Sequence, residues 1–476
     1  MGGIFGLCLN SPCVTDLFFG TDYHSHLGPR RGGIAVFDGT RYTRAIHNIE
    51  NSPFRTKFED DLADMHGNIG IGCISDSHPQ PIIMSTRIGT FGVVMVGRIN
   101  NKDQLTRELV RSHTAYFTEM SDGKINDTEL VSALICTKDS VAEGIKHALD
   151  VIDGSVTMLV SADGGLYAAR DKMGRTPLFI GKKNGLSSGY CASMESFAYI
   201  NLGYKTCHEL GPGEIVFLTD SKITMLQQPR KEMKMCTFLW LYYGFPTSDY
   251  EGINAETMRY KCGASMARQD IQCSSTVEAD YVAGIPDSGT PHAIGYANEA
   301  RIPFARPLIK YTPTWPRSFT PRDQSVRHLI ARMKLIPIDS LIQNKRLLFI
   351  DDSIVRGTQL SGMMEALADL GAKELHGRIG GPPILFNCKY LNFTRSSKES
   401  ENIARRSIFD LEGGEVSPER LSEYTEFGSK CYRNLVNDVR KKLNFDTLEY
   451  HSLDRMLESV GVEKCKLCTY CWNGKE

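Results

Sequence analysis

Residues Leu347 to Thr358 constrain this chain more than any other stretch. An apolar run, Leu347-Leu348-Phe349-Ile350, ends in two carboxylates, Asp351 and Asp352, and then in the short loop Ser353-Ile354-Val355-Arg356-Gly357-Thr358. Leu360, Met363, Met364, Leu367 and Leu370 follow at helical spacing. The pattern predicts buried strand, loop, helix. Backbone N–H groups at a helix N-terminus stabilise a phosphate, and Ser353 and Thr358 add hydroxyl donors. Carboxylates repel bare phosphate, but a pair of them suits sugar hydroxyls or a divalent cation carrying a diphosphate. Together these features imply a ribose 5-phosphate whose C1 carries a pyrophosphate. The bland alternative is a βα turn with the acidic pair as a solvated cap.

A chain of 476 residues is long enough for two domains or more. Lys+Arg 55 against Asp+Glu 56 leaves a net charge of -1, which gives no support for a nucleic-acid polymer or a membrane surface as partner. No apolar run reaches the length of a membrane span, and the N-terminal residues lack the pattern of a signal peptide. A cytoplasmic location is expected, and the 14 cysteines are expected to be thiols rather than disulfides.

Residues 1–228 read as short strands, such as Ile69 to Ile74, Phe91 to Val96 and Glu214 to Leu218, with amphipathic helices near Glu129 to Leu134 and Val141 to Leu149. That mixture predicts an α+β sandwich. Gln227 to Lys234 reads as a linker. Over 235–476, strands alternate with helices as in a parallel sheet: Ala279 to Ile285, a helix from Pro291, Arg346 to Ile350, a helix to Leu370, then Glu374 to Ile379. The tail from Ser417 reads as helical and polar. A second loop, Pro286-Asp287-Ser288-Gly289-Thr290-Pro291, also lies between a strand and a helix start, with Pro291 suited to the first helical position. Alone, such a loop is as often a mere helix cap. Paired with the first loop, one can hold pyrophosphate and the other ribose phosphate.

The form of Asp351 to Thr358 resembles the phosphoribosyl-diphosphate (PRPP) signature of type I phosphoribosyltransferases, and most of all that of the glutamine PRPP amidotransferase family. The resemblance implies that Asp287, Ser288 and Gly289 bind PRPP together with Asp351, Asp352, Ser353, Ile354, Val355, Arg356, Gly357 and Thr358. It implies Mg²⁺ on Ser288, Asp351 and Asp352. Arg317-Ser318-Phe319 and Arg332-Met333-Lys334-Leu335 resemble the family's mobile catalytic loop, so Arg317, Asp351 and Asp352 are the catalytic candidates. After the lysine matching Lys310, the family has Asn-Arg-Tyr; this chain has Tyr311-Thr312-Pro313-Thr314-Trp315-Pro316, which changes the stiffness and lining of that loop. Gly380-Gly381-Pro382-Pro383-Ile384 resembles the family's S-S-P-P-I.

Cys465, Cys468 and Cys471 form C-x-x-C-x-x-C, a spacing that lets thiolates converge on a metal or cluster. The resemblance implies a [4Fe–4S] cluster on Cys236, Cys388, Cys468 and Cys471, with Cys465 spare. A zinc site on four cysteines and unliganded thiols are the rivals.

The N-terminal half resembles the family's glutaminase domain, an N-terminal-nucleophile-hydrolase-like fold, through Gly3-Ile4-Phe5-Gly6, Gly67 to Gly72, Asn126 to Glu129, Gly165 to Asp171 and Gly211 to Glu214. The family's nucleophilic cysteine is replaced by Gly2. Its H-R-G appears as His26-Leu27-Gly28. Ser75 stands for the arginine that binds the glutamine carboxylate, and Val96-Gly97-Arg98 for the N-G-N of the oxyanion hole, while Asp127 matches a retained glutamine-binding aspartate. Glycine has no side chain to attack an amide. Cys8, Cys13 and Cys73 are the alternative thiols. The expectation is a degenerate glutaminase joined to a transferase that makes 5-phosphoribosylamine and pyrophosphate from PRPP and ammonia in purine biosynthesis. A non-catalytic PRPP or nucleotide-binding regulator, or transfer to another amine acceptor, are the other readings. The resemblance also implies a homo-oligomer and purine nucleotides as ligands.

Overall fold

The computed structural model describes residues 2–28, 30–112, 116–118, 120–121, 123–311, 335–392 and 399–475. Arg317, Ser318, Phe319 and Arg332 to Lys334 lie outside the described residues, as does the stretch from Thr312 to Pro316.

Two antiparallel sheets form the first half. One has seven strands in the order Lys205–Glu209, Phe179–Lys183, Gly189–Ser193, Gly3–Leu9, Ile69–Ser75, Arg31–Phe37, Tyr42–Asn48. The other has six, Ile223–Gln227, Ile215–Leu218, Gly165–Ala169, Gly154–Ala162, Gly89–Ile99, Ile82–Thr86. The run Ile69-Gly70-Ile71-Gly72 shows why they stack. Its isoleucines face the second sheet, where Ile71 lies 3.0 Å from the Cβ position of Gly92. Its glycines face the helix Val14–Asp22, and a Cβ on Gly70 would stand 2.7 Å from Leu17. Only bare backbone lets that helix close on the strand.

Beyond Met235 lies a four-stranded parallel sheet ordered Tyr281–Gly284, Arg346–Asp351, Glu374–Ile379, Thr447–Tyr450. Leu347, Leu348, Phe349 and Ile350 are all buried, which explains an unbroken apolar run rather than an alternating one. The helix Thr358–Asp369 buries Leu360, Met364 and Leu367, with Met363 and Leu370 packed partly beneath.

Two expectations need correction. The helix after the second loop begins at Gly289, so Pro291 is its third residue and not its first. A first-turn position still tolerates proline, because the N–H there has no intrahelical acceptor. The tail is also not purely helical: between the helices Lys430–Lys442 and Leu453–Val460 runs the strand Thr447–Tyr450. Its neighbour in the sheet, more than its composition, makes it a strand. Met235–Cys236 and Leu467–Cys468 form a short parallel pair, and one apolar cluster runs from the first sandwich through Trp240 to Trp472. Among the described residues no helix is long and apolar enough to cross a membrane.

Candidate functional site

Parallel neighbours end at the same edge of a sheet, so the loops after Tyr281–Gly284 and Arg346–Asp351 must meet. They do so tightly. The Ile285 N–H donates to the Ile350 carbonyl at 2.9 Å, and a Cβ on Gly289 would stand 2.3 Å from the same oxygen. Gly289 is therefore required for close approach. Ser288 bonds the Asp352 carboxylate from across the gap. The Ser353 hydroxyl donates to Asp352 Oδ2 at 2.6 Å, and the Asp352 N–H donates to Asp351 Oδ1 at 2.9 Å.

Asp352 is 3% exposed and Asp351 partly so. Burial, then the neighbouring charge of Asp352, pushes the Asp351 carboxyl well above the usual carboxylate range. Burial raises Asp352 as well, opposed by its bonds to Ser288 and Ser353 and by the field of Arg259. An adjacent pair of carboxyls raised by burial and by each other is a fitting seat for a divalent cation. Gly357, at φ +74°, turns the chain into the helix Thr358–Asp369. Asp287 is exposed and pairs with Lys310 at 2.6 Å. Arg356 pairs with Glu401 at 2.5 Å, and the Val355 carbonyl accepts from the Ile403 N–H at 2.8 Å. The two loops thus stand together, with Ser288 and the acidic pair at the centre; the predicted catalytic Arg317 falls outside the described residues.

The five positions read against the family's glutaminase site, Gly2, Ser75, Val96, Gly97 and Asp127, also converge. With His78, Gln80 and Asn392 they line one cavity of about 30 Å³. A Cβ on Gly2 would stand 2.3 Å from the Ile74 carbonyl oxygen. Lys102 donates to the Asp127 carboxylate, and His78 Nε2 lies 3.6 Å from its other oxygen. Burial resists ionisation of Asp127, but His78 and Lys102 outweigh it and hold the carboxyl below its ordinary range. No described thiol lines this cavity. Burial pushes Cys8 up to about 12 and raises Cys13 and Cys73 as well, so none is poised as a thiolate.

Cys236 is in register with Cys468 across the short parallel pair. The Cys471 thiol is hydrogen-bonded to Cys388, and this bond, with the Leu391 N–H at 3.3 Å, holds Cys388 below its usual pKa. Burial, then the neighbouring charges of Cys468 and Cys388, push the Cys236 thiol well above its usual range. Arg175 donates to Cys468 Sγ at 3.3 Å and stacks on Tyr390, 3.3 Å from its ring centre. Cys465 is exposed and bonds Glu463. Among the described residues, no three of His, Cys, Asp and Glu close around a single ion-sized position.

Sequence reasoning missed three residues here. Arg259, buried, gives its guanidinium to the carbonyls of Trp240, Tyr242 and Gly244 while facing Asp352. Lys102 and Arg175 come from elements distant in the chain, and no local pattern marks them. A larger cleft of about 1030 Å³, between Lys261, Arg268, Phe427, Arg455 and Trp472, is lined by none of the predicted site residues.

A model of the glutamine amidotransferase domain matches residues 66–197. The amidophosphoribosyltransferase of Methanocaldococcus jannaschii is 30% identical across 100% of this chain and 97% of the relative. That of Synechocystis is 29% identical across 99% of this chain and 90% of the relative. Among solved structures, glutamine PRPP amidotransferase from B. subtilis complexed with ADP and GMP aligns at TM-score 0.82 and 26% identity, covering 99% of this chain and 96% of that one. A structure described as the allosteric regulatory enzyme of purine biosynthesis aligns equally well, at TM-score 0.82 and 26% identity, over 99% and 95%. The fold is accordingly an N-terminal-nucleophile-hydrolase glutamine amidotransferase sandwich followed by a type I phosphoribosyltransferase domain. With a relative 30% identical end to end, this chain belongs to the amidophosphoribosyltransferase family.

Proposed function

We propose that this chain displaces pyrophosphate from PRPP with ammonia to give 5-phosphoribosylamine, and that it no longer hydrolyses glutamine. The observation that carries the first part is the buried Asp351–Asp352 pair, joined to Ser288 across two strand-end loops. In this reading Ser288, Asp351 and Asp352 hold Mg²⁺, which offsets the charge of the diphosphate when bound. The backbone of Ser353 to Thr358 cradles the ribose phosphate at the helix N-terminus. The acidic pair stabilises the cationic character that builds at the anomeric carbon as the leaving group departs. No protein nucleophile is needed, because the attacking group is ammonia itself. Residues 1–228 serve as the amidotransferase unit and 235–476 as the transferase unit.

Loss of the glutaminase is supported by the cavity itself. Gly2 offers no nucleophile, Ser75 no cation, and Val96 no hydrogen-bond donor at the positions that line it. For the cysteines, we read the hydrogen bonds of Arg175 and the Leu391 N–H to sulfur as the environment of a [4Fe–4S] cluster on Cys236, Cys388, Cys468 and Cys471. It would tether the tail to residue 236. Purine nucleotides as ligands are supported by the ADP and GMP of the B. subtilis relative, and a homo-oligomer follows from the family resemblance.

The test is incubation with Mg·PRPP, with and without ammonium or glutamine, while pyrophosphate and glutamate are followed. Release of pyrophosphate that rises with ammonium and with pH, and ignores glutamine, is the expected result. Tight PRPP binding without turnover would favour a regulator, and glutamate release would restore the glutaminase.

A further inference from the structure

A small antiparallel hairpin, Asp249–Tyr250 paired with Ile253–Asn254, follows the linker and reaches back onto the antiparallel sandwich. The Ser248 and Tyr250 hydroxyls donate to Glu195 Oε2 at 2.5 and 2.6 Å, and the Asp249 N–H donates to the Ser196 hydroxyl at 2.8 Å. At the turn, Glu251 adopts a left-handed φ of +49°, a backbone that a residue with a side chain rarely takes. Two contacts hold it there. Its N–H is shared between both carboxylate oxygens of Glu209, at 3.1 and 3.2 Å. Its side chain accepts two bonds from the buried Arg170 guanidinium, both at 3.1 Å. The remaining N–H groups of Arg170 go to the carbonyls of Thr176, Leu210 and Gly174. An arginine has five N–H groups, so none is left for Glu209. Two carboxyls therefore meet at one guanidinium, which serves only Glu251. The hairpin runs straight into the helix Ala255–Gln272, whose Arg259 faces Asp352.

We infer that Glu209 is a proton-operated latch for this hairpin: protonated, it holds the Glu251 N–H without repelling the Glu251 carboxylate, and once its proton passes to solvent the hairpin loosens from the sandwich. Burial, then the charge of Glu251, raises the Glu209 carboxyl from 4.5 to about 7; Asp249 adds to this, while Arg170 and the Glu251 N–H oppose it. Tyr199 also faces Glu209, and burial keeps its phenol protonated. Lys466 faces Glu251 from the tail. Undocked, Glu209 stands in water and titrates near its ordinary 4.5; docked, it titrates near 7. Between those values the docked form holds the extra proton. Docking therefore weakens as pH rises, by about tenfold per unit at the steepest, and levels off above about pH 8.

The experiment is hydrogen exchange of the full chain from about pH 5 to 9, read by mass spectrometry on peptides covering residues 248–254 and corrected for the intrinsic pH dependence of exchange. Protection of that segment should fall by about 50-fold between pH 5 and 8, and the sandwich strand Gly3–Leu9 should not follow it. Glu209→Gln keeps the shape and cannot ionise, so it should hold the hairpin at the low-pH level throughout. Glu251→Gln removes the opposing charge and should shrink the fall. Wild-type protection that does not change with pH would overturn the inference, as would a Glu209→Gln protein that keeps the wild-type fall. NMR of isotope-labelled glutamate in the wild type is the second readout, and it decides even where a variant does not fold. One side-chain carboxyl should titrate near 7; finding none above about pH 6 would overturn the latch.

Discussion

Arg98 donates to the carbonyl oxygen of Cys388 at 2.8 Å, joining residues 290 positions apart. Asn100 donates to the Lys389 carbonyl at 3.0 Å, and Asn392 returns a bond to the Gly97 carbonyl at 2.9 Å. The strand that lines the small cavity beside Gly2 is thereby clasped to the segment that carries a candidate cluster ligand. Arg98→Ala should cost about 1–3 kcal/mol of stability, the range for a buried acceptor left without a charged donor. It should also hasten iron loss in air. Thermal melts and iron analysis of the same preparations check both.

Asp352 sits at the centre of the transferase loops, buried and bonded to Ser288 and Ser353. Asp352→Asn keeps the shape and removes the charge. Ammonium-dependent pyrophosphate release should fall by about 10²-fold or more, the scale for losing one preorganised charge at a reacting centre. Ser288→Ala should cost less, about tenfold. Steady-state assays with saturating Mg·PRPP measure each.

Placing a thiol at position 2 should fail to produce a glutaminase. A Cβ on Gly2 would press within 2.3 Å of the Ile74 carbonyl oxygen, and Ser75 and Val96 would still supply neither cation nor donor. Gly2→Cys should destabilise the protein by roughly 1–3 kcal/mol through overpacking. It should release no glutamate from glutamine, as a coupled glutamate assay will show.

Cys468 faces Arg175 and is in register with Cys236, whereas Cys465 is exposed. Cys468→Ser should abolish the brown colour of anaerobically purified protein, and Cys465→Ser should leave it intact. Iron and sulfide analysis distinguishes the two. A colourless wild type containing zinc would reject the cluster.

His24 is fully buried, bonded to the Gly20 carbonyl at 2.8 Å and to Ser193 at 3.2 Å. Burial lowers its pKa from 6.5 to about 4. In the unfolded chain it takes up a proton near 6.5, in the folded protein only near 4. Between those values the unfolded state holds more protons, so this contribution is complete above pH 6.5 and is lost as pH falls toward 4. The loss amounts to roughly 3 kcal/mol. His451, lowered to about 3 by burial, acts in the same direction. His24→Gln should flatten the pH dependence of denaturant midpoints across that window and leave the slope due to His451.

The stretch from Leu347 to Leu370 was readable because each signal in it is local. A fully buried parallel strand is apolar throughout, and the helix after it repeats its apolar face. The convergence of Gly2, Ser75, Val96, Gly97 and Asp127 was legible only through family resemblance. Nothing in their local sequence says that four separate segments meet. Arg259, Lys102 and Arg175 were invisible for a related reason. Each acquires its partner through tertiary closure, and an isolated cation in a helix or turn reads as a solvated side chain. Thr447–Tyr450 escaped notice because four residues of mixed polarity form a strand only when Glu374–Ile379 lies alongside.

That late strand also sets the order of assembly. The antiparallel half has all its strands once Gln227 has been made, but the parallel sheet waits for Tyr450, and Met235–Cys236 waits for Leu467–Cys468. A nascent chain stalled before Thr447 presents the bare margin of Glu374–Ile379 to whatever strand arrives first. Thr447–Tyr450, made about seventy residues after the strand it covers, therefore acts as a guard against aggregation by capping that free edge.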